Sequence, residues 1–360
     1  MNSNIRLKDF LTPAWLLIVV GLVFGAYIGL YQMFVGHVIN AGQSVILTTP
    51  LIAYIVLALT STGILLTLSY GILKNNEAVM AQSRYLLILS FAVLLGGFAS
   101  LATELGSLVN FIWAFLTPNV KSPLWMISMI YTVINILLVA GIALSLMSKG
   151  ARPGRVWAWI SLVVGGTAAL IMGAEFGMAF ARPDFQGAFA SVLLPTAGLM
   201  MGMGLVVAMQ RDARLADKLN PYFRQLAALF AVLMIAGMAY HWKDNTPTLI
   251  GWVNPLMIVL FFAIAILGGL APRITALVGL VGGYWALHTY IITGQLFVLG
   301  PRVVWDGQIA EYSFFHIGEI GTLVLGVALA AALYNLGRIF LLESKEPVRG
   351  SARQASTATA

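Results

Sequence analysis

Residues 49–72 read TPLIAYIVLALTSTGILLTLSYGI and contain no Asp, Glu, Lys or Arg. A run of this length matches the roughly 20 residues that an α-helix needs to cross the hydrocarbon of a bilayer. The whole chain is 60% hydrophobic and 9% charged, with a mean hydropathy of +0.92, whereas a soluble domain carries about 25% charged residues. The sequence therefore predicts an integral membrane protein.

Similar apolar runs recur along the chain and predict ten transmembrane helices. They lie near residues 14–34, 49–72, 84–106, 124–147, 156–180, 189–209, 223–241, 253–271, 274–292 and 315–342. A membrane β-barrel would need segments of about ten residues that alternate apolar and polar, but these runs are twice that length and apolar on all sides. Because lipid admits only helices and closed barrels, we expect an all-α protein.

The organisation of the chain follows from these runs. We expect residues 1–343 to form one polytopic membrane domain with a core at about 45–292, and residues 344–360, which are small and polar, to form a disordered cytoplasmic tail. Arg6 and Lys8 precede an apolar run longer than that of a secretory signal, so we expect a retained first helix. The connection between the eighth and ninth helices, GGLAPR at 268–273, is very short.

Lysine and arginine predict the orientation. With the N-terminus in the cytoplasm, only four of the 20 Lys and Arg residues fall in external loops, at Lys121, Arg182, Lys243 and Arg302. Cytoplasmic segments of membrane proteins carry this kind of positive excess. We therefore expect both termini in the cytoplasm of a bacterial or archaeal cell, with the protein in its cytoplasmic (inner) membrane. The net charge of +7 then faces anionic lipid and requires no nucleic acid.

Five titratable residues fall at membrane depth near the predicted external side. They are Glu104, Glu175, His288, His316 and Glu319. Ionisable groups in hydrocarbon are costly and usually serve ion, proton or ligand chemistry, so we expect a proton-handling pocket that opens toward this face. The alternative is that some of these side chains reach the interface. Glu104 and Glu175 are the candidate catalytic groups.

The chain contains no cysteine. This excludes disulfides, covalent c-type haem and Cys-ligated iron–sulfur clusters within it. We predict no metal site from the sequence. Any redox centre that works with this protein would belong to a partner or would be ligated by histidine.

Short motifs around the third and fourth helices carry a family resemblance. They are Thr103-Glu104-Leu105-Gly106, Asn110-Phe111-Ile112-Trp113, Thr117-Pro118-Asn119 and Ser122-Pro123-Leu124-Trp125, and in the second half Arg182-Pro183 followed by Pro195. Over roughly residues 45–210 the chain resembles the NrfD/polysulfide-reductase family of membrane subunits, and its ten helices resemble the hydrogenase-type branch. That family ends a helix in Asp-Leu-Gly-Arg-Pro, so Glu104 replaces the aspartate and Ser107-Leu108 replace the Arg-Pro.

The resemblance implies a fold and a function. The fold is a core of two four-helix bundles with one flanking helix at each end. The function is a membrane anchor that binds quinone, menaquinone or ubiquinone, near the outer face, with no haem or iron–sulfur cluster in this chain. It would exchange electrons with a ferredoxin-like four-cluster iron–sulfur subunit and a catalytic subunit on the outer side, for which molybdenum is a candidate metal.

A quinone pocket needs hydrogen-bond donors for the ring oxygens, proton acceptors and aromatic walls. The predicted ring-binding residues are Tyr54, Trp113, Trp125, Tyr131 and Asn135. Tyr131 and Asn135 are four apart, so they share a helix face. The tryptophans also fit an interfacial belt, the tyrosines an ordinary core, and Asn135 a contact between helices. Thr60, Ser61 and Thr62 are expected to bond back to their own helix.

Two other functions remain open at this stage. A haem b subunit needs two facing histidines, and His241, His288 and His316 all fall near the predicted external side; His37 is the fourth histidine. A secondary, proton-coupled transporter is the other alternative, although such proteins place the substrate near the midplane on broken helices.

Overall fold

The computed structural model describes residues 12–34, 48–104, 117–119, 123–147, 153–177, 188–209, 213–241, 249–296 and 317–342. Ten long helices fill these ranges: α1 Pro13–Phe34, α2 Thr49–Leu73, α3 Ser83–Glu104, α4 Pro123–Met147, α5 Arg155–Gly177, α6 Phe189–Met209, α7 Ala213–His241, α8 Leu249–Leu267, α9 Pro272–Leu296 and α10 Ile317–Gly337. A π-helical turn, Arg338–Leu342, continues α10, and a one-turn helix, Glu77–Ala81, joins α2 to α3.

No strand occurs in the described ranges. Nine of the described helices are long and apolar enough to cross a membrane, and the described apolar part of α8, Pro255–Leu267, is shorter. The predicted all-α, multi-pass membrane fold with about ten helices is confirmed.

The helix bounds agree with the apolar runs to within five residues, except at the start of α7. This helix begins at Ala213, ten residues before the predicted start at 223. Its first turns are amphipathic, with Leu215 and Leu219 buried while Asp217 and Lys218 are exposed. A hydropathy pattern identifies only the part of a helix that hydrocarbon surrounds. It therefore misses amphipathic turns that extend the helix beyond the hydrocarbon.

The ten helices pack as two four-helix bundles and a flanking pair. In the first bundle, α2, α3, α4 and α5 contact one another in a ring, and in the second bundle α6, α7, α8 and α9 do the same. Helices α2, α5, α6 and α9 join the two rings. The flanking helices α1 and α10 pack against each other, and α10 packs on α3 and α2. The first and last helices therefore lie together beside the first bundle.

Glycine permits the close contact between α2 and α6 that joins the bundles. A Cβ atom at Gly63 would collide with the carbonyl oxygen of Gly198, and one at Gly202 would lie 2.6 Å from the backbone nitrogen of Ile64. These neighbours are backbone atoms and cannot rotate away. Small residues at such contacts let membrane helices approach closely.

The bundle has two chemically distinct ends. All described lysines and arginines lie toward one of them, here called the arginine-rich end: Lys74, Arg84, Arg155, Arg214, Lys218, Arg224, Arg273 and Arg338. The opposite, arginine-poor end holds the first residues of α2, α4, α6, α8 and α10 and the last residues of α1, α3, α5, α7 and α9. The charge bias predicts that the arginine-rich end faces the cytoplasm.

At the arginine-rich end, α7 fixes the short connection between α8 and α9. Arg224 donates from Nε to the Ala265 carbonyl oxygen at 2.7 Å and from Nη2 to the Ile266 oxygen at 3.0 Å, and Asn220 Nδ2 donates to the Gly268 oxygen at 3.1 Å. The last carbonyl groups of a helix lack partners within it, and a positive charge there also interacts favourably with the helix dipole.

Candidate functional site

The first bundle brings two predicted binding residues together near the arginine-poor end. Tyr54 of α2 and Tyr131 of α4 are buried, and their ring centroids lie 6.1 Å apart with the ring planes at 67°. The Tyr54 ring also lies 5.4 Å from that of Phe98 on α3. Edge-to-face contacts of this kind are favourable beyond the burial of area.

A threonine lies beside the Tyr131 phenol. Thr62 Oγ1 is 3.4 Å from the Tyr131 hydroxyl and donates to the carbonyl oxygen of Ala58 at 2.8 Å. Tyr54, Ala58 and Thr62 are spaced by four along α2 and therefore lie on one face of it. Sequence reasoning treated Thr62 only as bonded to its own helix, although this spacing could have associated it with Tyr54.

Glu175 adds a carboxyl group to this region. It lies two residues before the end of α5, is half-buried, and interacts electrostatically with the Tyr54 hydroxyl. We refer to Tyr54, Thr62, Tyr131 and Glu175 as the first-bundle cluster. Its two phenols can donate hydrogen bonds to a ligand, and its carboxyl group can accept or release a proton.

Asn135 and Trp125 have less direct roles in this cluster. Asn135 Nδ2 donates to the Tyr131 carbonyl oxygen at 3.1 Å, so the amide binds its own helix, and Asn135 Oδ1 is buried without a hydrogen-bond partner among the described residues. Trp125 is half-buried near the start of α4. That position suits both a pocket wall and an interfacial belt.

Other predicted residues lie outside the described part of the structure. Glu104 is the last residue of α3, but its side chain is not among those described. Trp113, His37, His316 and the tail 344–360 also lie outside the described residues. Glu104 lies on α3 and Glu175 on α5, and these two helices are at opposite corners of the ring that forms the first bundle.

The hydroxyl residues on α2 behave in two ways. Thr60 donates to the Val56 carbonyl oxygen at 2.7 Å, so it bonds back to its own helix as predicted, and Thr62 does the same. The prediction for Ser61 is wrong. Ser61 and Ser90 of α3 donate to each other's carbonyl oxygens at 2.7 and 2.9 Å, because close packing brings the backbone of α3 within reach.

Three of the five titratable residues at membrane depth have described side chains, and these three lie on different helices. Glu175 belongs to the first bundle, whereas His288 lies on α9 and Glu319 on α10. His288 Nε2 lies 3.1 Å from Thr49 Oγ1. In this conformation that ring nitrogen points at a hydroxyl group rather than into a space that could hold a haem.

A groove of about 470 Å³ opens between α3, α4 and α10 in the half nearer the arginine-rich end. Its lining residues are apolar, among them Ile88, Phe91, Val139, Leu146 and Phe340. Such a groove can hold a hydrocarbon chain but offers no side-chain donor to a polar ring. The groove therefore lacks the phenols and the carboxyl group that distinguish the first-bundle cluster.

Comparison of the chain with models of known protein families gives no match, and comparison with curated proteins gives none. The functional argument therefore depends on the residues and their geometry.

Proposed function

We propose that this protein is the quinone-interacting membrane subunit of a respiratory oxidoreductase and passes electrons between the membrane quinone pool and an iron–sulfur partner. The observation that carries the proposal is the first-bundle cluster. The Tyr54 and Tyr131 rings pack edge to face inside the first bundle, and the Glu175 carboxyl group interacts electrostatically with the Tyr54 hydroxyl. The resemblance of the motifs at 103–125 to those of the NrfD/polysulfide-reductase family supports the same function.

The chemistry of a quinone accounts for this combination of groups. Oxidation of a quinol releases two protons with two electrons, and reduction of a quinone takes up the same. A site must therefore hydrogen-bond the ring oxygens and exchange protons. Tyr54 and Tyr131 can bind the oxygens, Glu175 and Glu104 can carry protons, and aromatic rings match a flat ligand. A quinone, when bound, supplies the electron chemistry.

The partner completes the proposed reaction. Electrons must leave the quinone for a metal centre, and the chain has no cysteine to ligate an iron–sulfur cluster. We place the iron–sulfur subunit and the catalytic subunit at the arginine-poor end, beside the first-bundle cluster. The positive-inside bias supports this as the outer face of a bacterial or archaeal cytoplasmic membrane.

Two observations bear on the alternative functions. Helices α6, α7 and α8 contain interior prolines, Pro195, Pro221 and Pro255, yet each continues as one helix, whereas transporters place their substrate on broken helices. For the haem alternative, Nε2 of His288 is directed at Thr49. The quinone function uses the described groups more fully than either alternative.

Turnover with quinone tests the proposal. The protein is purified from its host membranes with the subunits that bind it, and electron transfer is measured with a soluble quinone analogue and separately with an artificial dye. Tyr131→Phe and Glu175→Gln each remove a hydrogen-bonding or proton-carrying group with little loss of volume. We expect quinone turnover to fall at least about tenfold in Glu175→Gln and to fall clearly in Tyr131→Phe, while dye activity persists.

Matched substitutions at the other end serve as controls. Tyr70→Phe and Glu77→Gln change exposed residues toward the arginine-rich end and should keep wild-type quinone turnover. Wild-type turnover in both Tyr131→Phe and Glu175→Gln would contradict the proposal. A Soret band in the purified chain would instead support the haem alternative.

A further inference from the structure

The apolar groove between α3, α4 and α10 is a recess in the outer surface of the helix bundle. On α3 it is lined by the buried residues Ile88 and Ala92, and α4 and α10 each pack against α3 on either side of it. Val139 of α4 and Phe340 beyond α10 form exposed rims, and each side chain is 51% exposed. Every lining residue falls within a candidate membrane span, so the groove opens to the hydrocarbon of the bilayer.

The dimensions of the groove suit a hydrocarbon chain. Along α10 and the turn that continues it, the groove extends from Leu333 to Leu341, roughly 12 Å at a rise of 1.5 Å per residue. Gly337 lets the end of α10 lie directly against α3, since a Cβ atom there would come within 2.6 Å of Ile88 Cγ2. The result is an elongated space of about 470 Å³ with an apolar lining.

Two arginines lie at the end of this groove. Arg84 is one turn before Ile88 on α3, and the spacing of 84, 88 and 91 places Arg84 on the helix face that lines the groove. Arg338 lies between the lining residues Gly337 and Phe340, in the π-helical turn that packs on α3. Both arginines are half-buried. Such side chains lay their stems along apolar surface and direct the guanidinium group toward the membrane interface.

We propose that this groove binds one anionic phospholipid, with an acyl chain in the apolar recess and the phosphate group at Arg84 and Arg338. The lipid belongs to the leaflet at the arginine-rich end. Guanidinium groups bind phosphate oxygens through charge-assisted hydrogen bonds. A zwitterionic lipid carries the same phosphate, but its ammonium group offsets the attraction to two arginines. The site does not depend on quinone binding.

Shape and charge together distinguish this site from ordinary contact with lipid. Exposed apolar side chains also occur on α1, among them Leu16, Leu17 and Val23. These lie on the outer side of a single helix whose residues, 13–34, include no lysine or arginine. The groove instead lies between helices and ends beside two cationic groups. Clustered basic residues at the membrane surface attract anionic lipids by an amount that grows with each charge.

Native mass spectrometry of the purified full chain, with the subunits that bind it, tests the role of charge. The delipidated protein is titrated with phosphatidylglycerol or with phosphatidylethanolamine of the same acyl chains, and the first binding event is compared. We expect phosphatidylglycerol to bind at least about fivefold more tightly. Arg84→Gln and Arg338→Gln should each weaken its binding by about fivefold. Lys218→Gln removes an exposed charge from α7 and should leave both affinities unchanged.

A second pair of variants tests the groove itself. Ala143 is exposed and lines the groove, so Ala143→Phe fills the recess from its rim without displacing a buried side chain. This variant should weaken the binding of both lipids. Ala236→Phe introduces the same ring at an exposed position on α7 and should change neither.

Three results would overturn the proposal. One is equal affinity for the two lipids in the wild-type protein. Another is wild-type phosphatidylglycerol binding in both arginine variants or in Ala143→Phe. The third is displacement of the bound lipid by one equivalent of quinone, which would assign the groove to an isoprenoid tail. If Arg338→Gln does not fold, Arg84→Gln and Ala143→Phe still give each of these outcomes.

Discussion

The two ends of the helix bundle use polar side chains differently. At the arginine-rich end, Arg224, Asn220 and Arg155 donate to carbonyl oxygens at the ends of helices. At the arginine-poor end, some polar side chains approach other side chains, as Thr62 does Tyr131 and as Thr49 does His288, while others, such as Ser100, donate to backbone oxygens. The first arrangement satisfies backbone groups that every helix end leaves without a partner.

The second arrangement satisfies no backbone requirement. Apolar residues of similar size could replace a buried cluster of side chains without exposing any helix end, and such replacement is often neutral or stabilising. A cluster of this kind is therefore better explained by chemistry than by stability. We therefore predict that substitutions at the arginine-poor end lower activity with little change in stability. Substitutions at the arginine-rich end should lower stability with little change in activity.

The largest effect on activity is expected at Glu104, the final residue of α3. Glu104→Gln keeps size and hydrogen bonding but removes the titrating group that we expect to carry the quinone's proton to water. Quinone turnover of the complex should fall at least about tenfold, with assembly and dye activity retained. Turnover at the wild-type rate would make Glu104 an interface residue and leave Glu175 as the proton carrier. Loss of dye activity would mean a structural role.

The largest effect on stability is expected at Arg224. Arg224→Met keeps the length of the side chain but removes both hydrogen bonds to the end of α8, each of a kind worth about 1.5–3 kcal/mol. The apparent Tm in detergent should fall, while quinone turnover per folded complex stays at the wild-type value. Lys218→Met, an exposed position on the same helix, is the control and should leave Tm unchanged. A change in turnover without a change in Tm would break the contrast between the ends.

The smallest effect is expected at Arg155. Its Nη2 donates to the Leu73 carbonyl oxygen at 3.3 Å from an exposed position. Arg155→Gln should therefore cost about 0.5 kcal/mol or less, as is usual for surface substitutions. A fall in Tm as large as that of Arg224→Met would show that the stability contributed by these hydrogen bonds does not depend on how buried the arginine is.

Local patterns predicted the helices but not their contacts. Apolar runs located the ten helices because a span depends only on its own residues, and they missed residues 213–222 of α7, where water faces one side. The resemblance implied the two bundles. The contact of Tyr54 with Tyr131 joins two helices, and that of Thr49 with His288 spans 239 positions. Distances of this kind depend on how all the helices pack. Ser61 was misjudged for the same reason.

Labelling with a photoreactive quinone tests the central claim most directly. The purified complex is irradiated with a quinone that carries the reactive group on its ring, with and without excess natural quinone, and the labelled peptides are identified by mass spectrometry. We predict labels that the natural quinone displaces, located by fragmentation to residues beside Tyr54 on α2 and beside Tyr131 on α4. Displaceable labels confined to the apolar groove, at Val139 or Phe340, would contradict a quinone site at the arginine-poor end.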